Sequence, residues 1–184
     1  QTHADALSTI SVQWAEPQAT EMGLYKIDNS ALVPIATSQV INGKLAFAFH
    51  PDKEGYYAIA KHPRSAMYRY TFYLKPGDDL SFSIEGDDYT LTDLDGITNT
   101  PENRAIAAWQ DLVHPLEGKA IYFMGKESTF RDFFPQLEQM LPQIKAFPKA
   151  DTPNARFNTS FENYKRFNLT EITNMLLQTP RAEH

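Results

Sequence analysis

Five histidines, 23 Asp and Glu residues and no cysteine make up the reactive inventory of this 184-residue chain. His3, His50, His62, His114 and His184 are scattered. None has the i, i+4 partner that puts two imidazoles on one helix face. They read as surface or turn histidines, and no metal site is expected. The acids cluster at Asp78-Asp79, Asp87-Asp88 and Asp93-Leu94-Asp95-Gly96. Asp-x-Asp-Gly is part of a calcium loop, but the third acidic position and the terminal Glu of that loop are missing. Asp and Gly between strands are ordinary turn formers, which accounts for all three clusters. Paired carboxylates could hydrolyse glycosides only if two of them faced each other across a cleft. Without cysteine there is no thiolate nucleophile, no thiolate zinc site and no disulfide. No Gly-x-Ser-x-Gly elbow and no glycine-rich phosphate loop occurs, and the eight glycines are spread singly. No catalytic residue and no cofactor are therefore expected, and the chain reads as non-enzymatic. The remaining candidates are aromatic. Tyr25, Tyr56 and Tyr73 are candidates to point outward, where a ring can stack on a sugar or anchor an interface. The competing reading places them under loops or helices, as for most aromatics.

Elements must hold these residues, and the composition allows a core for them to sit on. Hydrophobic residues make up 42% and aromatics 12%, which excludes disorder. Seventeen Lys and Arg against 23 acids leave a net charge of -6, with no basic run, so a nucleic-acid partner is not expected. The longest uncharged stretch, Asn29 to Gly43, is too short and too polar to span a membrane. No signal peptide is visible. The chain opens at Gln1 without an initiator Met and reads as a processed or trimmed piece of a longer gene product.

The first half reads as strands. Ile10, Val12 and Trp14 alternate with Ser11 and Gln13, a period of two. Met22–Ile27 and Leu32–Ile41 flank the turn-like Asp28-Asn29-Ser30, and Asn42-Gly43 is a strong hairpin signal before Lys44–Phe49. Tyr56–His62, Tyr68–Lys75, Leu80–Glu85 and Tyr89–Thr92 follow, separated by polar turns. About eight short strands at this spacing predict an antiparallel β-sandwich over residues 1–97. The Phe47 face can meet either Tyr57 and Ile59 or Ala58 and Ala60, depending on one residue in the 50–55 turn. If Ala46, Ala48, Ala58 and Ala60 share a face, the C-terminal helices should cover it.

Near residue 97 the period changes, and residues 98–184 read as a helical extension packed on the sandwich. The fold class is thus α+β. Thr100-Pro101 gives a cap with Pro at the first helical position. Ile106, Trp109, Gln110 and Val113 follow at helical spacing, and Pro115 is expected to end that helix. Ser128 or Thr129 is a candidate cap for a second helix with Phe130, Phe133, Phe134, Leu137, Met140, Leu141 and Ile144 on its apolar stripe, and Pro142 predicts a kink or break. Thr152-Pro153 repeats the cap device before Phe157, Phe161, Tyr164 and Phe167, which form one bent helix or two, ended by Thr179-Pro180.

Several of these segments carry a resemblance. Asn42-Gly43-Lys44-Leu45-Ala46-Phe47 looks like a "dGkF-F" strand entry, Phe72–Asp78 resembles a "fyl-pGD" strand and turn, and Thr98–Asn103 resembles a "gs--N" helix start. Thr170–Arg181 resembles a helix with a "tPR" exit. Together they resemble the N-terminal accessory domain that precedes thioredoxin-like domains of the TlpA/ResA type in Bacteroides-type envelope proteins. The resemblance implies a periplasmic or cell-envelope location and a downstream thioredoxin-like domain with a Cys-x-x-Cys pair as the partner of these residues. It implies an accessory role: docking, dimerisation or positioning of a protein client. Redox catalysis cannot reside in a cysteine-free stretch. The alternative from a different class is a stand-alone β-sandwich that binds carbohydrate or another ligand through outward aromatics.

Overall fold

Alternation of apolar and polar side chains builds the first half of the chain. The computed structural model describes residues 6–17, 19–29, 31–64, 69–84, 92–93, 100–123 and 130–177. Strands β1 (Ser8–Trp14), β2 (Glu21–Asp28), β3 (Ala31–Gln39), β4 (Lys44–Phe49), β5 (Gly55–Ala60), β6 (Arg69–Leu74), β7 (Asp79–Ile84) and the two-residue β8 (Thr92–Asp93) come first. Helices α1 (Pro101–Phe123), α2 (Phe130–Ala146) and α3 (Ala155–Leu177) follow. The class is α+β, with the helices C-terminal to the strands. In β1 the residues Ser8, Ile10, Val12 and Trp14 are buried while Ser11 and Gln13 are exposed, the period of a strand with one face on a core.

The strands form two sheets, ordered β4-β1-β7-β8 and β3-β2-β5-β6. Pairing is mostly antiparallel, but β1 and β7 run parallel, with Thr9 opposite Asp79 and Trp14 opposite Ile84. This corrects the expectation of a wholly antiparallel arrangement. The chain changes sheet between β1 and β2, β3 and β4, β4 and β5, and β6 and β7, so strands adjacent in sequence are mostly not adjacent in a sheet. Ile10, Val12, Trp14 and Phe82 of the first sheet share one buried cluster with Met22, Leu24, Tyr57, Ile59, Tyr70 and Phe72 of the second. The rings of Phe72 and Phe82 lie 5.7 Å apart across that core. Each such side chain contributes about 1.5–3 kcal/mol by leaving water.

Asn42-Gly43 forms its tight turn but does not make the expected hairpin. Both residues have positive φ, 51° and 71°, the conformation of a two-residue turn. Ile41 and Lys44 exchange N–H···O bonds of 2.9 and 3.0 Å across it. Glycine is required twice over, since a Cβ at Gly43 would also stand 2.6 Å from the Trp14 carbonyl oxygen. The strand before the turn pairs with β2 and the strand after it with β1, so the turn is a corner between sheets. For the same reason the four alanines do not share a face, and the condition on which helical cover was expected is not met. Ala46 and Ala48 sit exposed on the first sheet, Ala58 and Ala60 buried on the second. Phe47 faces the core that holds Tyr57 and Ile59, from the opposite sheet.

The chain separates into two units, Gln1–Ala107 and Ala108–His184. The division falls inside α1 rather than near residue 97, because the first turns of that helix bond to β6, as described below. Thr100 caps α1, its hydroxyl accepting the Asn103 N–H at 3.3 Å and its carbonyl the Arg104 N–H at 3.0 Å. The helix runs through Pro115, which was expected to end it. Proline removes one backbone bond, yet Val113 and Leu116 on either side are fully buried and hold the segment. Helix α2 likewise continues through Pro135 and Pro142. Of its expected apolar stripe, Met140 is buried, whereas Phe134 and Leu141 are exposed. Helix α3 is a single helix. Its cap is Asn154, not Thr152, with Asn154 Oδ1 accepting the Phe157 N–H at 3.1 Å. The expectations placed on His3, Tyr89, Asp87-Asp88, Asp95-Gly96, Ser128, Thr129, Thr179-Pro180 and His184 lie outside the described residues.

Candidate functional site

The three candidate tyrosines lie on one face of the second sheet, the face turned away from the shared core. Tyr25 stands opposite Ala58, Tyr56 is two residues from Ala58, and Tyr73 stands opposite Tyr56, so alternation places all three together. The Tyr56 and Tyr73 rings meet edge to face at 5.1 Å. Their outward exposure is corrected: Tyr25 retains 7% and Tyr73 3%, and only Tyr56 is half-buried. The Tyr25 ring lies over Gly23, where a Cβ would come within 2.7 Å of the phenol. Burial, and then the charge of Glu21, push the Tyr25 pKa up, which keeps the phenol neutral. A sugar-stacking platform needs open ring faces, and these rings do not present them.

At the β6 edge of that sheet, two segments singled out in the sequence come together. Asn103 is buried in the first turn of α1. Its Oδ1 accepts the Tyr73 N–H at 2.7 Å and its Nδ2 donates to the Tyr73 carbonyl at 3.0 Å. One side-chain amide thus takes the place of a further strand on the ladder. Nδ2 also donates to Thr100 Oγ1 at 2.9 Å, tying the cap to the same group. Beside it the buried Glu102 accepts from Lys75 Nζ at 2.9 Å. Lys75 N–H donates to Asp78 Oδ2 at 2.9 Å and Asp78 N–H to the Lys75 carbonyl at 3.0 Å, closing the turn over Gly77, whose φ is 91°. Ser8 Oγ accepts the Gly77 N–H at 3.0 Å and donates to the Lys75 carbonyl at 3.1 Å. Burial is the main force raising the Asp78 pKa; Glu102 and Glu54 add to it, and Lys75 opposes it through its N–H and its charge.

A carboxyl with a raised pKa beside an ammonium and a buried carboxylate can in principle move a proton. Here Asp78 holds the turn through the Lys75 N–H, and the ammonium and Glu102 pair with each other between the turn and the helix start. Sequence reading identified the turn and the cap separately. It missed their convergence, whose available signal was an asparagine two residues after the helix-opening proline.

Two other places gather side chains. A cleft of about 410 Å³ at one end of the first sheet is lined by Trp14, Pro17, Asn42, Gly43 and Ser83 among others, with Lys44 the one ionisable lining residue among the described residues. A lone ammonium offers no acid–base pair. In the second unit Lys165, only 8% exposed, places Nζ 5.2 Å from the ring centroids of Phe147 and Phe161 and 5.9 Å from that of Trp109. It pairs with Glu162 at 2.9 Å. Three ring faces around an ammonium make an aromatic box, filled here by the chain's own lysine. Trp109 Nε1 donates to Asn168 Oδ1 at 2.9 Å, which fixes one wall. Sequence reading placed Trp109 and Phe161 at helical spacing and missed Lys165, because a cation beside apolar residues reads as solvent-facing.

Among the described residues no group of three or more His, Asp or Glu converges in a way that could hold a metal ion. His50 and His62 are exposed and His114 is half-buried. Among the described residues no helix is long and apolar enough to cross a membrane. Comparison of the chain with protein-family models, with curated proteins and with solved structures finds no match.

Proposed function

We propose that this chain is a non-catalytic accessory module of an envelope thiol–disulfide protein, its two sheets closing on one core as a sandwich. The observation that carries the reading is the junction of Phe72–Asp78 with Thr100–Asn103. Two of the segments that resemble the accessory domain of thioredoxin-like proteins meet in one hydrogen-bonded cluster, through Asn103 on Tyr73 and Glu102 on Lys75. That cluster directs its polar atoms to backbone and to an internal ion pair. Such a module would position a client or a second module near a tethered redox centre, where linkage raises effective concentration without new contacts. The carbohydrate-binding alternative relied on outward rings, and Tyr25 and Tyr73 are buried.

Sequencing the gene beyond the codon for His184 tests this reading. The expected result is a continuous frame encoding a thioredoxin-like domain with a Cys-x-x-Cys pair. A stop codon, or a frame running into an unrelated domain, would remove the basis for it.

A further inference from the structure

A lysine on a helix surface ordinarily lays its stem along apolar neighbours and keeps its ammonium in water. Lys165 does the reverse. It is buried, while the adjacent Arg166 on α3 is exposed. Its Nζ stands over three rings drawn from three segments of the second unit: Trp109 of α1, Phe147 just past the end of α2, and Phe161 one turn earlier on α3. Each ring is held by neighbours of its own. Trp109 meets Phe147 edge to face at 5.3 Å and bonds to Asn168, and Phe161 stacks on Phe157 at 5.2 Å. The remaining wall is a carboxylate. Glu162 Oε1 lies 2.9 Å from Nζ, and the Glu162 side chain is 31% exposed, so it stands on the solvent side. Fixed rings closed by a carboxylate are a preorganised site for a cation.

We propose that this box is a binding site for a primary alkylammonium, with the Lys165 side chain as its built-in ligand. The selectivity comes from Glu162. An oxygen 2.9 Å from the nitrogen leaves no room for a methyl group between them, so a trimethylated nitrogen does not fit the same place. The tethered ammonium is present at high effective concentration and closes the site to free amines in the wild-type chain. It also ties α1 and the end of α2 to α3 through charge, where apolar packing alone would have served a purely structural need. The inference concerns residues of Ala108–His184 only and is independent of the accessory reading.

The test removes the ligand and supplies it again in solution. Lys165→Ala deletes three methylenes and the ammonium, and n-propylammonium chloride replaces the same atoms. Melting of the full chain is followed by its helical circular dichroism. Lys165→Ala is expected to melt below wild type, and n-propylammonium to raise its melting temperature saturably. At a Kd of about 10 mM, about 100 mM amine shifts the unfolding equilibrium about tenfold. Sodium chloride, 1-propanol and propyltrimethylammonium chloride at the same concentration are expected to give no such rise. Wild type is expected to respond to the amine as it does to sodium chloride. Adding Glu162→Gln to Lys165→Ala is expected to weaken the rescue. Lys165→Met fills the box with a thioether, which aromatic rings accept well, and is nevertheless expected to melt below wild type. If Lys165→Ala is unfolded in buffer, recovery of the helical signal with amine is the readout. Rescue by 1-propanol or the trimethylated amine as good as by n-propylammonium, no saturable rescue at all, or a Lys165→Met variant as stable as wild type overturns the proposal.

Discussion

Asp78 shows how a residue that resembles a catalytic acid can be a turn residue. Its carboxylate accepts the Lys75 N–H, which favours the charged form, but burial and the nearby Glu102 and Glu54 outweigh that and raise its pKa. A carboxyl raised in the folded state binds its proton more tightly there than in the unfolded chain. Its contribution to stability is therefore present below the unfolded pKa and is lost as pH rises through the folded one. Asp78→Asn keeps an oxygen to accept the Lys75 N–H and removes the charge. The variant is expected to melt higher than wild type near about pH 7, and to match it near about pH 3, where Asp78 is protonated in both states. The gain is below about 1 kcal/mol, because a half-exposed group is screened by water. Thermal melts at the two pH values check this; equal differences at both would show that the charge of Asp78 is not the cause.

At the scale of elements, the edges of the sheets explain what the local sequence left open. Period-two alternation located β1, β4, β6 and β7 within a residue or two, because a strand with one buried face writes its period into the chain. Pairing was not legible in the same way. Asn42-Gly43 dictates a turn conformation through its two positive φ angles, but nothing local states that the strand before it stays with β2 while the strand after it joins β1. The edges are then managed by separate devices. Ser38 Oγ accepts the Ala46 N–H of edge strand β4 at 3.4 Å. On edge strand β3, Pro34 lacks a donor and adjoins an irregularity in the pairing with β2. Asn103 covers the β6 edge at Tyr73. Asn103→Ala leaves the buried Tyr73 N–H without its acceptor, which costs about 1–3 kcal/mol. Urea titration is expected to show that loss. Asn103→Asp, which restores the acceptor but sets a carboxylate against the Tyr73 carbonyl, is expected to fall at or below the alanine variant at neutral pH. A variant as stable as wild type would mean that the edge is held by other groups.

At the scale of the whole chain, the change from strands to helices was legible from the switch of period, while the place where the molecule divides was not. The boundary lies between Ala107 and Ala108, inside one continuous helix, and a helix gives no compositional sign of a boundary within it. The candidate site followed the same pattern. Tyr25, Tyr56 and Tyr73 do share one face, as alternation alone allows, but burial depends on what covers a sheet, and that information is not local. The first unit contains a complete apolar cluster, running from Ile10 to Ile84 across both sheets, and the Thr100–Asn103 start of α1 that closes β6. A fragment of residues 1–107 is therefore expected to fold alone. Trp14 is its sole indole, since Trp109 lies beyond the cut, and in the folded chain Trp14 is almost wholly buried. The fragment should show blue-shifted Trp14 emission that moves red in a single cooperative urea transition, with strand-type circular dichroism lost in the same step. A fragment truncated after residue 97, lacking Asn103 and Glu102, is expected to unfold at lower urea. Red-shifted emission from residues 1–107 in buffer would show that the cluster around Trp14 needs residues 108–184 to form, and that the division inside α1 does not separate independent folding units.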